Sequence, residues 1–414
     1  MRKPARPEHL YVDFDGFFAS CEEQANPRLY GCPIGVVPFE EARNSCVIAS
    51  NPKAKKFGVR TGVAIDEARR LCPQLVLVPQ RPDLYVRTQQ RVVAAVLSVL
   101  PIDVVCSIDE LAAVLEKGDC PEDVAGRIKR RVREAVGKRI TCSIGCAPNR
   151  WLAKIAADID KPDGLTVLRP GDLPGRLLEI GLEDLPGVGR RMRARLERAG
   201  LSTVGDLWNG NPGRLRSIWG NVAGARFWYA LHGYAVEPPP TRRSSIGHGR
   251  VLPPEQRGVP AAREPARQLV VKAARRLRRE GFLSRRLSLS ADGFDGPIWR
   301  GSITIARAAN DDRTCLGALG VLWAELAAAK PRAVLFRIMV SFDRFAPTGA
   351  AQLELPFGEP DTWRGKAKSL SAAVDAINNR YGRTVVGYGQ CGAPGGYSGA
   401  KIAFGRIPDW EDFW

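Results

Sequence analysis

Two hydrophobic periods take turns along the first 170 residues. Residues 9–15 (HLYVDFD) form a short apolar run ending in acids, which predicts a strand, and FFASCEEQ after it predicts a helix. Residues 33–50 predict two strands with a turn between them. Residues 51–72 are basic and then helical. In 84–100 the apolar residues Val86, Val92, Val93, Val96, Leu97 and Leu100 fall at helical spacing, and Pro101 ends the run. Residues 102–116 predict two strands around an acidic turn, 121–137 a basic amphipathic helix, and 139–147 another strand. Strands interleaved with helices predict an α/β core with helices against one sheet.

The pattern changes near 168–182, where short helical stretches are separated by Pro and Gly. The run 233–255 is rich in Pro, Ser and Gly and predicts an extended linker. A strongly basic helix is predicted over 259–281. Strands at 285–293 and 300–306, a helix at 313–329 and a strand at 333–342 follow, a βαβ-type unit of domain size. The tail from 346 to 414 reads as irregular.

Charge changes the picture. The net formal charge is +18, and 241–345 alone carries 20 Lys and Arg against 9 Asp and Glu. Such an excess attracts a polyanion, and nucleic acid is the leading candidate; a solvated basic surface is the alternative. Ten cysteines are scattered without a C-x-x-C pair, which predicts reduced thiols. Three histidines leave little material for a zinc site or a histidine base. No apolar stretch is long enough to span a bilayer, and the N-terminus has no signal-peptide core, so a cytoplasmic protein without membrane contact is expected.

Two places offer candidate chemistry. Asp13 and Asp15 end the first strand, and Asp109 and Glu110 lie between two strand-like runs. Neighbouring acids in apolar surroundings are costly unless a cation sits there. Carboxylates at strand ends are rigid hard-oxygen ligands, the kind that Mg²⁺ prefers and that nucleotidyl transfer needs. Exposed turn acids would look the same one motif at a time; both together, in a basic α/β protein, favour metal binding.

These segments resemble the motifs of the Y-family DNA polymerases, in family order and spacing over about residues 9 to 345. YVDFDGFFASCEE is similar to the first acidic motif, SIDE to the second, NPKAKKFGVRTG to the fingers motif, and SIGCAPNRWLAKIAADIDKPDG to the palm motif. Within the family the DinB branch is the most similar. The resemblance implies an α/β and α+β multidomain protein: a palm with a mixed sheet and helices, small fingers, a helical thumb with a helix-hairpin-helix, and a basic α+β little finger. The implied domains are palm at 1–24 and 80–167, fingers at 25–79, thumb at 168–235, linker at 236–255, little finger at 256–345, and a tail at 346–414.

The resemblance also implies roles. Asp13, Asp109, Glu110 and the Phe14 carbonyl would hold two Mg²⁺ ions, with Glu110 on the ion that activates the primer hydroxyl. Asp15 would support the site structurally. Phe18 matches the steric gate that excludes a 2′-hydroxyl; outside this context it reads as a core aromatic. Phe17, Phe18, Lys55 and Lys161 would contact the nucleotide. The family's fingers Tyr and Arg are replaced by Pro52 and Lys55, which removes a hydroxyl and a bidentate fork. The small Gly16 beside the gate implies a roomy, permissive site.

Leu185-Pro186-Gly187-Val188-Gly189-Arg190-Arg191 resembles the thumb's helix-hairpin-helix, where Gly187, Gly189, Arg190 and Arg191 would grip a DNA phosphate, with Arg193 adding charge. The arginines of the 259–281 helix either bind phosphate or form a solvated face. Gln352, Leu353, Leu355 and Phe357 stand in a peptide similar to those that bind bacterial sliding clamps. The expected protein is a low-fidelity, monomeric translesion polymerase acting on primer–template DNA and dNTPs, without proofreading. An inactive, polymerase-shaped DNA-binding adaptor, and a cyclase or nuclease with the same acids, are the rival readings.

Overall fold

The computed structural model describes residues 1–38, 45–237, 243–347, 362–381 and 384–389. The chain divides into two compact units, one before and one after the stretch 238–242.

The first unit is built on β1 (His9–Phe14), whose apolar side chains Leu10, Val12 and Phe14 are fully buried. Helix α1 (Phe17–Ala25) follows after one turn. The fingers come next: β2 (Ile34–Val37), β3 (Ala49–Ser50), α2 (Pro52–Lys56), α3 (Ile65–Leu71) and β4 (Val76–Pro79). They form a three-stranded sheet in the order β3-β2-β4 over a small core of Val47, Ala54, Val59, Ala68 and Cys72. The chain returns through α4 (Pro82–Leu97), β5 (Val104–Val105), β6 (Glu110–Val114), α5 (Pro121–Ala135), β7 (Cys142–Ala147), α6 (Arg150–Ile159) and β8 (Leu165–Val167).

These strands make a mixed sheet in the order β5-β6-β1-β7-β8, in which only β7 and β8 run parallel. β1 is central, so its end is held from both sides: Asp13 stands opposite Glu110 on β6 and Ser143 on β7. Helix α6 lies so close on β7 that a Cβ on Gly145 would sit 2.0 Å from the Ala153 carbonyl oxygen. The strand glycine is therefore a packing requirement.

The thumb contains α7 (Arg190–Arg198), α8 (Val204–Asn209), α9 (Pro212–Trp219) and α10 (Val222–Leu231). It shares one core with α6, in which Leu152 and Ile155 pack with Leu185, Leu196, Leu207, Leu215 and Leu231. The N-terminal residues tie onto the same unit: the Ala235 N–H donates to the Arg2 carbonyl at 2.9 Å, and Asn149 donates to the carbonyls of Ala230 and Tyr234.

The second unit contains β9 (Ser245–Val251), α11 (Val259–Arg279), β10 (Phe282–Gly293), β11 (Gly296–Ala309), α12 (Asp312–Ala329), β12 (Arg337–Pro347) and α13 (Thr362–Tyr381). Its sheet, in the order β11-β10-β12-β9, is antiparallel throughout. The βαβ expectation is corrected here, because β10 and β11 form a hairpin and β12 returns beside β10.

Two further expectations change. Residues 245–251, read as linker, pair with β12. The glycines that suggested a linker are there because a Cβ on Gly247 would come within 2.6 Å of the Val340 carbonyl. The tail, read as irregular, contains α13, whose Ala367, Ser371, Val374 and Asn378 are buried at alternating four- and three-residue steps.

Candidate active site

The ends of β1 and β6 converge because the two strands are in register. The Phe14 N–H donates to the Asp109 carbonyl at 2.9 Å, which pins the acidic turn beside Asp13. The Ser107 hydroxyl donates to the Asp109 carboxylate at 2.5 Å. Asp15 accepts from Thr141 and Ser143 at 2.9 and 2.8 Å and from the Asp163 N–H at 2.9 Å. It thereby ties β1 to β7 and to the loop after α6, a supporting position.

The carboxylates are electrostatically uneven. Burial pushes the Asp13 carboxyl up to about 7 despite the Lys161 ammonium, and the nearby charges of Asp158 and Asp109 push the same way. Burial also raises Asp109, against the pull of Ser107. Glu110 goes the other way. Burial works against its ionised form, yet the Lys154 ammonium and the hydroxyls of Ser107 and Tyr11 hold it below the usual carboxylate range.

Two of the three carboxylates have a lysine partner. Lys161 Nζ lies 2.7 Å from Asp13 Oδ2 and 2.6 Å from Asp158 Oδ1. Lys154 Nζ is paired with Glu110 Oε1. Among the described residues no three His, Cys, Asp or Glu side chains form a ready metal-holding group, and an ammonium group stands at Asp13 and at Glu110. The donor set nevertheless fits a hard divalent cation: two half-buried carboxylates whose ionisation desolvation disfavours, and a third at the strand start, all gain from added positive charge.

Phe18 is 5% exposed and stacks on Tyr85 with ring centroids 4.4 Å apart and planes within 8°. The Tyr85 hydroxyl donates to Glu22 Oε1 at 2.7 Å, and Arg81 Nε donates to the same carboxylate at 2.9 Å. Phe17 is 2% exposed and packs between Phe14 and Phe18, so its ring is core. A nucleotide could meet only its backbone N–H, at the uncapped start of α1. Gly16 stands there at φ 53°, and a Cβ would meet the Ser50 carbonyl at 2.7 Å. The glycine thus serves a tight backbone approach, not an open space.

Pro52 is the first residue of α2, which Asn51 caps by accepting from the Ala54 N–H at 3.0 Å, and Lys55 is exposed on that helix. Gly187 adopts φ 96° and Gly189 is the N-cap of α7, with nothing within 4 Å of where either Cβ would stand. The Trp151 indole N–H fixes this loop by donating to the Pro186 carbonyl at 3.1 Å. Arg190 and Arg191 are exposed beside it, whereas Arg193 is paired with Glu183 and Glu197. Gln352, Leu353, Leu355 and Phe357 lie outside the described residues.

Sequence reasoning missed Lys154, Ser107 and Tyr85. Lys154 was within reach of it: it lies on α6 within the same motif, which continues past the end of the helix to Lys161. Ser107 opens the acidic motif itself. Nothing in the pattern marked Tyr85, whose partner lies far away in sequence.

Acidic strand ends beneath a fingers sheet, followed by a helical thumb on the same core, define a nucleotidyl-transferase palm of the DNA polymerase kind. The impB/mucB/samB family model matches residues 12–158, its C-terminal domain model residues 243–355, and the DNA polymerase-iota thumb domain model residues 183–234. DNA polymerase IV of Moorella thermoacetica is 33% identical over 392 residues, covering 91% of this chain and 94% of that protein. Among solved structures, a Dbh–Dpo4 Y-family polymerase chimera aligns with a TM-score of 0.68 at 27% identity, covering 82% of this chain and 99% of that one. An insertion ternary complex of Dbh DNA polymerase aligns with a TM-score of 0.52 at 27% identity, covering 81% and 98%.

The chain belongs to the impB/mucB/samB family, the Y-family DNA polymerases, and is a DNA-directed DNA polymerase. Members of this family use divalent cations.

Proposed function

We propose that this polymerase extends primers across damaged templates with two Mg²⁺ ions held by Asp13, Asp109, Glu110 and the Phe14 carbonyl. The observation that carries the reading is the register that sets Asp13 opposite Glu110 at the paired ends of β1 and β6, next to Asp109, with the carboxyls of Asp13 and Asp109 raised by burial. When bound, the ions supply the Lewis acidity that favours the primer 3′-oxyanion and takes up charge on the triphosphate.

The chain's own residues do the rest. The uncapped amides of Phe17 and Phe18 and the ammonium of Lys161 receive the triphosphate, and Lys55 adds charge from the fingers. The ring of Phe18, held by Tyr85, lies under the sugar and leaves no room for a 2′-hydroxyl. Gly187 and Gly189 let backbone amides approach a phosphate of the duplex, and Arg190 and Arg191 add charge without reading sequence.

In the second unit the face of the sheet away from its helices supports a backbone grip. Gly247, Ser341, Ser288 and Ser302 stand in one row across four strands, and Arg300 lies beside it, so a phosphate backbone can come close. The segment 352–357 recruits a sliding clamp and raises the local concentration of enzyme at DNA. No described helix is long and apolar enough to cross a membrane.

Primer extension with Mg²⁺ and dNTPs tests the reading. The unmutated protein should extend a primer past a lesion, and Asp109→Ala or Glu110→Ala should lower the rate by about 10³-fold or more, at least ~4 kcal/mol of transition-state stabilisation. Failure of the unmutated protein to extend over a range of salt and metal conditions overturns it.

A further inference from the structure

Glu110 differs from the other two acids in one respect: it has its own cation. Lys154 projects from α6 and pairs with Glu110 Oε1. The same ammonium lies 3.5 Å from the Tyr11 hydroxyl and 5.3 Å from the centre of the Tyr11 ring. The Tyr11 hydroxyl accepts from this ammonium, so Lys154 has a second partner beside Glu110.

A divalent cation approaching Glu110 meets a carboxylate already paired, close to a second ammonium on Asp13. A lysine ammonium and a divalent cation at the same carboxylate repel each other, so each weakens the other's hold on Glu110. The lysine also keeps a partner when it releases Glu110, because its ammonium already lies over the face of the Tyr11 ring, which attracts it.

We propose that Lys154 is the resident counter-cation of Glu110: it holds this carboxylate in the ion-free enzyme and yields it, keeping its place over the face of Tyr11, when a divalent cation enters. Cation binding by the free polymerase is then an exchange, in which the protein gives up an ion pair to gain a metal ion. Lys154 is a positioning residue in this scheme, acting through Glu110. The proposal rests on the metal-site reading above.

The test is Mn²⁺ binding to the full-length protein without DNA or nucleotide, followed by the electron paramagnetic resonance signal of free Mn²⁺. Lys154→Met keeps the stem and removes the competing charge, and it should bind Mn²⁺ about tenfold more tightly, ~1.4 kcal/mol. Lys154→Gln should do the same while leaving a hydrogen-bond donor for Glu110, which guards against a folding defect peculiar to the Met variant. Lys154→Arg should restore the affinity of the unmutated protein. With Glu110→Gln in place, Lys154→Met should change the affinity by less than about twofold, because the competition has lost its object.

Unchanged or weaker Mn²⁺ binding by both neutral variants overturns the proposal, and so does a gain that persists with Glu110→Gln. Asp13→Asn and Asp109→Asn separate this failure from failure of the metal site. If they abolish Mn²⁺ binding while the Lys154 variants do not strengthen it, only the role of Lys154 is wrong. If they leave Mn²⁺ binding unchanged, the metal-site reading falls, and the proposal with it.

Discussion

Phe18 stacks on Tyr85 with ring centroids 4.4 Å apart and nearly parallel planes, and Tyr85 is anchored in turn by its hydroxyl on Glu22. A gate that excludes a single hydroxyl group must not yield, and this stack is what keeps the Phe18 ring in place. Phe18→Ala should raise ribonucleotide incorporation by at least about tenfold, ~1.4 kcal/mol of discrimination. Tyr85→Leu leaves Phe18 present but unsupported and should give a smaller increase. Single-nucleotide incorporation with matched dNTP and rNTP measures both, and unchanged discrimination in Phe18→Ala refutes the gate.

The thumb loop gives a prediction with a different signature. Arg190 and Arg191 are exposed at the start of α7, beside glycines with open space around them. Their replacement by Ala together should weaken primer–template binding to a similar extent on every sequence. The slope of log affinity against log salt should fall by up to about 2, roughly 0.9 for each phosphate that is no longer neutralised. Arg193→Ala, which removes a charge already paired with Glu183 and Glu197, should change that slope much less. A fluorescence anisotropy titration at several salt concentrations distinguishes the two.

The strand-end acids were legible in the sequence because β1 is a short apolar run with acids at one end, and the register of a central strand leaves them one place to go. What lay opposite them was not legible. Lys154 and Glu110 are 44 residues apart, and Tyr85 and Glu22 are 63 apart, so no local period pairs them. β9 was hidden by its own composition: Gly247 and Gly249 look like linker residues, but a neighbouring strand needs their missing side chains. Charge alone makes the arginines of α11 look like phosphate ligands. The structure turns Arg275 and Arg278 toward Asp375 of α13, a helix whose inward residues are small and polar and so give little apolar signal.

The segment at 352–357 yields a prediction that depends only on its sequence. Deletion of these residues should weaken binding to a sliding clamp by at least about tenfold, while synthesis on a short primer–template without clamp stays as before. Surface plasmon resonance on immobilised clamp measures the first and primer extension the second. Unaffected clamp binding removes the peptide reading without touching the active site.

The seat of α13 on the second unit can be tested through one arginine with two acids. Arg278 donates to both carboxylate oxygens of Asp375 at 2.6 and 2.9 Å. Its Nη2 also lies 3.1 Å from Asp312 Oδ2, without hydrogen-bond alignment, and Asp312 is 1% exposed. Burial therefore raises the Asp312 carboxyl, although Arg278 and Ser371 oppose the shift. Asp375→Ala removes the aligned partner from a nearly buried guanidinium and should cost about 2–4 kcal/mol. Asp312→Asn should behave oppositely. A carboxyl with a raised folded value contributes its stability below the unfolded value, near 4, and loses it as pH rises through the folded value. The Asn variant has no such loss, so its stability relative to the unmutated protein should improve from pH 4 to pH 8. Urea unfolding of the full chain across that range measures both. If Asp312→Asn instead becomes relatively less stable as pH rises, the Asp312–Arg278 pair is the stronger of the two and the assignment of Asp375 as the anchor of α13 is wrong.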